Sequence, residues 1–259
     1  DAFFVAFRLP NTFRRLFAEG SFNSAFVPQY TKLDSQKKSY KFASSIFNLL
    51  TFVLLSLVCV AEIFMGGVVY MISPGFVENP EKYKLAVTLS RIVFPFLFFV
   101  SLSSFYSAIL NTKGKFAVAA AAPIILNLLL ISSILYAKFF DKELVFFMAW
   151  SVTAAGAIQL AMLAIYAKKY FKAKINFNFK ISSEVRYFFK RLLPSIFSSG
   201  VMQINILVGT IIASFQTSAV SYLYYADRIY QLPLAITGIA IGAVILPSLS
   251  KKIFQENDG

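Results

Sequence analysis

The residues with the most chemical reach in this 259-residue chain are charges set in apolar surroundings. Asp227-Arg228 lies well inside an apolar run, with Tyr224 and Tyr225 just before it. A buried guanidinium needs a carboxylate, a carbonyl, water or an anionic ligand. Two readings stand for Arg228: pairing with Asp227, or binding an anion that enters a cavity. Near the start of the chain, Asp1, Arg8, Asn11, Arg15 and Glu19 fall on one polar stripe of a helix. Arg14 falls about 100° off that stripe in an ideal helix. The stripe suits a helix lining water better than one facing lipid, while Arg14 and Arg15 also fit a basic interfacial end. Guanidinium groups from two segments point to an anionic ligand, and a phosphate matches the guanidinium fork through two oxygens.

The missing residue types exclude most catalysis. There is no His, and the one Cys, Cys59, sits in an apolar run. That removes the Ser-His-Asp triad, the usual zinc sites, a cysteine cluster and an intrachain disulfide. An integral membrane glycosyltransferase would need paired acids or His at a membrane face, and the sequence offers neither. The expectation is a protein that is not an enzyme, with no catalytic residue, no metal ligand and no cofactor. Glu62 and Arg91 lie near the ends of their spans and read as structural, since long side chains reach the interface.

The elements that must position these charges are membrane helices. With 58% hydrophobic residues, 14% charged and a mean hydropathy of +0.69, the chain is neither an ordinary soluble domain nor disordered. Crossing a bilayer core of about 30 Å takes about 20 apolar residues as helix. Six stretches meet this: 42–72, 85–110, 116–137, 144–167, 192–215 and 219–246. Residues 2–18 form a seventh candidate despite Arg8, Arg14 and Arg15. The net charge of +13 follows topology. Connectors 14–41, 113–115 and 168–191 with the tail at Lys251-Lys252 hold 18 of the 25 basic residues, against 4 in the alternate connectors. The positive-inside rule places the 18 in the cytoplasm and requires 2–18 to span. This leaves no call for nucleic acid as a partner, and anionic inner-leaflet lipids suit the basic side. The chain begins at Asp1 with no visible signal peptide and is expected to be a piece of a longer protein.

Two outside-to-inside segments share a pattern. Phe7-Arg8-Leu9-Pro10 leads to Val27-Pro28, and Tyr230-Gln231-Leu232-Pro233 leads to Leu246-Pro247, each with an Asp upstream, Asp1 and Asp227. Duplication of a six-span unit in parallel orientation accounts for this, as does chance in a biased composition. Pro10, Pro95, Pro123, Pro194 and Pro233 interrupt spans. They fit either ordinary packing or bent helices that rock.

The run DAFFVAFRLPNTFRRLFAEGSF at 1–22, with Phe26-Val-Pro28, resembles the second transmembrane helix of the MurJ/MviN family. So do Ser73-Pro-Gly-Phe76, Arg91-Ile-Val-Phe-Pro95, Ala108-Ile-Leu-Asn111, Tyr224-Tyr-Ala-Asp-Arg228 and Leu246-Pro-Ser-Leu-Ser-Lys251, in the family's order. The resemblance implies an all-α, two-lobed membrane bundle of the multidrug/oligosaccharidyl-lipid/polysaccharide exporter superfamily, of which this chain looks like spans two to eight. Residues 1–175 would form the N-terminal lobe without its first helix. Residues 176–259 would start the C-terminal lobe with two helices and a cytoplasmic tail.

The implied activity is flipping of lipid II, the undecaprenyl-pyrophosphate-linked peptidoglycan precursor, across the bacterial inner membrane. A related exporter of another lipid-linked oligosaccharide or amphipathic solute is the alternative. The family's cavity arginines match Arg14 and Arg228, its cavity aspartate Asp1, and its inner-gate acid Glu19. Arg8 is a basic position in the family. Asn11, Ser221 and Gln231 fall on cavity-lining positions, although Gln231 replaces a residue that is acidic in some relatives. With Asp227 and Arg15 these complete the candidate site. Partners implied are lipid II, membrane lipids and the cell-wall synthesis machinery, around a full-length monomer. A fragment of this extent alone is expected to be inactive.

Overall fold

The computed structural model describes residues 1–18, 21–33, 35–140, 143–174, 176 and 182–233. Those residues form helices joined by short connections. In chain order they are α1 (Ala2–Ala18), α2 (Ser21–Thr31), α3 (Gln36–Ile63), α4 (Met65–Ile72), α5 (Pro80–Val93), α6 (Phe96–Thr112), α7 (Phe116–Phe139), α8 (Leu144–Ala167) and α9 (Ser183–Ala213). A further helix, α10, covers 219–233. A short 3₁₀ turn, Pro74–Glu78, separates α4 from α5.

Local chemistry sets the boundaries. Ser35 caps α3 by accepting from the Lys38 amide, and Asn79 caps α5 by accepting from the Lys82 amide, with Pro80 at the first helical position. Pro95 breaks the predicted span 85–110 into α5 and α6, because it cannot supply an amide to the helical ladder. Pro10, Pro28, Pro123 and Pro194 are carried inside their helices. Gly114, at φ +68°, makes the tight turn between α6 and α7 that a side chain would resist.

Four helical stretches are long and apolar enough to cross a membrane: Gln36–Ile63, Pro80–Thr112, Phe116–Phe139 and Leu144–Ala167. They match the predicted spans 42–72, 85–110, 116–137 and 144–167. The first continues beyond Phe64 as α4. Predicted spans 2–18 and 192–215 are helical but more polar, and 219–246 is described only as far as residue 233. Outward-facing side chains such as Phe52, Leu55, Leu128, Ile131, Leu135 and Phe139 form the apolar exterior that lipid would cover.

One finding departs from the expectation of a charged inner connector over 14–41. Most of it is helix. Arg14 and Arg15 belong to α1, and α2 buries Phe22, Ala25, Phe26 and Tyr30. The inner charge bias loses two members and survives.

The connectors assigned to the inner side gather at one end. The Tyr40 hydroxyl donates to the Lys172 carbonyl at 2.8 Å, and Lys113 Nζ lies 5.8 Å from the Tyr30 ring. Between the ends lie two packed cores. The inner one is aromatic, built on Phe22, Phe26, Phe42, Phe105 and Phe188; the outer one joins α1 to Met65, Phe76, Leu89, Phe96 and Val220. α6 runs through both and is buried along most of its length.

Candidate functional site

The site forms where α1 meets α10. The two helices lie side by side in the same direction, as contacts at steadily advancing positions demonstrate. Asp1 reaches Ser218 and Ser221, Phe4 stacks on Tyr224 with centroids 4.2 Å apart, Arg8 lies 4.0 Å from Asp227, and Arg15 donates to Gln231 at 3.2 Å. These are the two segments that share the Leu-Pro pattern. Parallel packing is what a duplication about an axis normal to the membrane would produce.

Asp227 and Arg228 do not pair with each other. Successive helical residues point about 100° apart, and each goes its own way. Asp227 turns to Arg8, whose side chain is 8% exposed. Arg228 bends back so that its Nη2 donates to the Tyr224 hydroxyl at 2.9 Å, with its guanidinium carbon 5.1 Å from that ring. The ring and its hydroxyl hold the fork in place without neutralising it.

The same divergence sorts α1. Arg8, Thr12 and Arg15 face α10 and α9 around a small cavity shared with Gln203 and Gln231. Arg14, one residue before Arg15, faces the other way into a cavity of about 520 Å³. Asn11 borders both spaces, and its Oδ1 accepts from Arg14 Nε at 3.1 Å. The off-stripe arginine of the helical wheel thus reaches the larger space. That cavity lies between the outer and inner cores, lined by α1, α2, α6, α7, α8 and α10, with Arg14 and Arg228 as its charged members. Its remaining polar lining is neutral. Sequence reasoning passed over Asn23, Ser103, Asn127 and Gln159, although lone amides and hydroxyls in apolar spans were the available signal.

Asp1 and Ser221 sit apart from both cavities, at the outer end. Asp1 Oδ1 accepts from the Ser221 amide at 2.9 Å and its hydroxyl at 2.7 Å. Oδ2 accepts from the Ser218 amide at 3.0 Å and pairs with Lys82 Nζ at 2.7 Å. Lys82 also lies 4.1 Å from the Phe76 ring. Beside this cluster, the Gly75 amide donates to Ser214 Oγ at 3.0 Å. A Cβ on Gly75 would come within 2.5 Å of the Ser214 carbonyl, so only glycine permits the approach. Lys82 and Gly75 were not among the expected site residues. Glu19, expected at the inner gate, lies outside the described residues. The inner end of the same junction is closed by Phe188 of α9 against Phe22 and Phe26 of α2, at 5.5 and 6.3 Å between centroids.

A cavity with two held guanidinium groups, inside an apolar exterior, can take an anionic group and shield it from lipid. Comparison with known proteins identifies the family. The family model described as "Lipid II flippase MurJ" matches residues 1–259. A probable lipid II flippase MurJ of Rhizobium tropici is 40% identical across 98% of this chain and 49% of its own length. A lipid II flippase MurJ of Burkholderia cenocepacia is 34% identical across 97% of this chain and 50% of its own length. The chain spans about half the length of these curated relatives. A solved structure of lipid II flippase MurJ in an inward closed conformation superposes with a TM-score of 0.81 at 28% identity, covering 97% of this chain and 52% of that one.

Proposed function

We infer, from the premise that this chain belongs to the lipid II flippase MurJ family, that it serves in a transporter moving the anionic headgroup of lipid II from the inner to the outer leaflet. The observation that carries the reading is the convergence of Arg14 and Arg228, from two similar helices, on one cavity. The arginines hold the pyrophosphate while the polyprenyl tail stays in lipid. Asn11 steadies Arg14, and Tyr224 steadies Arg228. Arg8 and Asp227 tie α1 to α10 beneath the headgroup site, with Arg15 and Gln231 continuing that tie inward.

In this reading 1–175 belongs to one lobe and 176–259 opens the second. The outer cluster on Asp1 and the inner aromatic contacts act as two closures, one opening while the other holds. No bond is made or broken in the substrate, so the protein is a carrier and not an enzyme. It works as a full-length monomer in the bacterial inner membrane, beside the cell-wall synthesis machinery. The membrane potential, negative inside, favours outward movement of an anion by about 2.3 kcal/mol per charge per 100 mV.

Complementation of a flippase-depleted bacterium by the full-length gene, with precursor orientation measured, tests the reading. Arg228→Lys keeps the charge, loses the fork and should impair transport; wild-type flipping would remove Arg228 from phosphate binding. Depolarised vesicles should flip headgroups more slowly, and an undiminished rate would dismiss the potential as a driving force.

A further inference from the structure

The larger cavity is lined by two chemically different sets of side chains. Arg14 and Arg228 are its charged members. In the same lining, four helices contribute neutral polar side chains: Asn23 from α2, Ser103 from α6, Asn127 from α7 and Gln159 from α8. Asn127 and Gln159 each interrupt an otherwise apolar stretch. Ser103 and Gln159 are each 4% exposed. The Ser103 hydroxyl and Asn23 Oδ1 are buried without a hydrogen-bond partner among the described residues. The side chains of Gln159, which is buried, and Asn127, which is exposed, make no hydrogen bond among those residues. The contrast with Ser104 is instructive. Its hydroxyl donates to the Val100 carbonyl at 3.0 Å, the usual way a serine is satisfied inside an apolar helix.

Unpaired amides and hydroxyls at bilayer depth are costly to keep. Buried polar groups without partners call for an occupant. Side-chain amides offer a donor and an acceptor together and carry no charge. They match neither a phosphate, which only accepts from them, nor a polyprenyl tail. Their match is an uncharged group bearing hydroxyl and carboxamide functions. The cavity volume of about 520 Å³ leaves room for such a group beside the phosphates; it sits within the about 300–1,000 Å³ usual for pockets that enclose a whole small molecule.

We propose that Asn23, Ser103, Asn127 and Gln159 form the subsite for the uncharged sugar portion of the headgroup, in the same cavity as the arginines that take its phosphates. This rests on the flippase reading above and assigns a second role within that cavity. Selectivity for the headgroup then resides in α2, α6, α7 and α8, and affinity for any lipid pyrophosphate in α1 and α10. A wall built to hydrogen-bond a ligand rejects one that lacks the matching groups, since its own polar atoms are left unpaired.

The test uses purified full-length protein and two probes: the sugar-bearing lipid precursor, and undecaprenyl pyrophosphate without sugar. Gln159→Leu should weaken binding of the first by about tenfold and leave the second within about twofold. Ser103→Ala, which removes a hydroxyl that supports nothing in the fold, should weaken the first by about threefold with the same selectivity. Wild-type binding of both probes by both variants would mean that the wall holds only water and would overturn the proposal. Equal weakening of both probes by Ser103→Ala would overturn it too. Arg228→Lys separates the two layers of the argument. It should weaken both probes alike; if it weakens neither while Gln159→Leu still discriminates, the anion reading falls and the sugar subsite stands.

Discussion

The junction between α1–α8 and α9–α10 is closed at both ends by different means. At the outer end, closure depends on direction. Asp1 accepts three hydrogen bonds from Ser218 and Ser221 and pairs with Lys82, and Gly75 approaches Ser214 so closely that a methyl group would not fit. At the inner end, closure depends on shape. Phe188 packs edge-on to Phe22 and Phe26, and the polar links there run from the Ser21 hydroxyl to the Ser195 carbonyl at 3.4 Å and between the Ser24 and Ser195 hydroxyls at 3.5 Å. Directional bonds are made or lost over a fraction of an ångström, whereas apolar contact between rings is non-directional and falls off gradually as they shift. A two-ended gate built this way has one end that snaps and one that glides.

Conservative and radical substitutions at the two ends separate these behaviours, with thermal unfolding of the full-length protein in detergent as the common readout. The largest expected effect is at the inner end. Phe26→Ala removes a ring that is fully buried and should destabilise by about 3 kcal/mol through the cavity it leaves. A loss under about 1 kcal/mol would mean the aromatic core collapses freely and is not a shaped seal. Asp1→Asn, nearly isosteric, should still cost about 2 kcal/mol, because it unpairs Lys82 and replaces an acceptor with a donor facing amides. It should also let a Val220→Cys reporter, at a position buried in the intact structure, react with an impermeant maleimide in a Cys59→Ser background. An unreactive reporter would break the claim that this cluster closes the outer end.

Gly75→Ala should cost about 1–2 kcal/mol and raise the same reactivity, since backbone at Ser214 must move away. Phe26→Leu should cost the least, about 1 kcal/mol, because the inner end tolerates a change of shape that keeps volume and apolarity. If Phe26→Leu proves more damaging than Asp1→Asn, the contrast between a directional and a shape-based closure is reversed.

Much of the fold was legible because bilayer thickness fixes helix length and apolarity marks the helices. The alternation of the connectors was legible because Lys and Arg collect at every second one, and those connectors do meet at one end. α2 was hidden in what read as a basic inner connector, since Ser21, Asn23 and Ser24 dilute its hydropathy. Its helical spacing, Phe22, Ala25, Phe26 and Tyr30, was present all along. In the site, the wheel placed Arg14 off the stripe, and that offset is what turns it into the larger cavity. The partner of Asp227 was not legible. Adjacency in sequence suggested Arg228, but neighbours on a helix point apart, and the partner, Arg8, lies in another helix. The neutral wall went unnoticed because single amides in apolar spans have no local pattern. Their significance arises only when three or four helices bring them to one space.

The contact between Asp1 and the start of α10 has an electrical consequence. A helix carries partial positive charge at its N-terminus, from amides with no partner in the turn before them. The Ser218 and Ser221 amides are such groups at the head of α10, and both donate to the Asp1 carboxylate. A negative charge carried by one helix thus offsets the field at the head of the other. The carboxylate that joins the two helices also sets the electrical character of the helix end it meets.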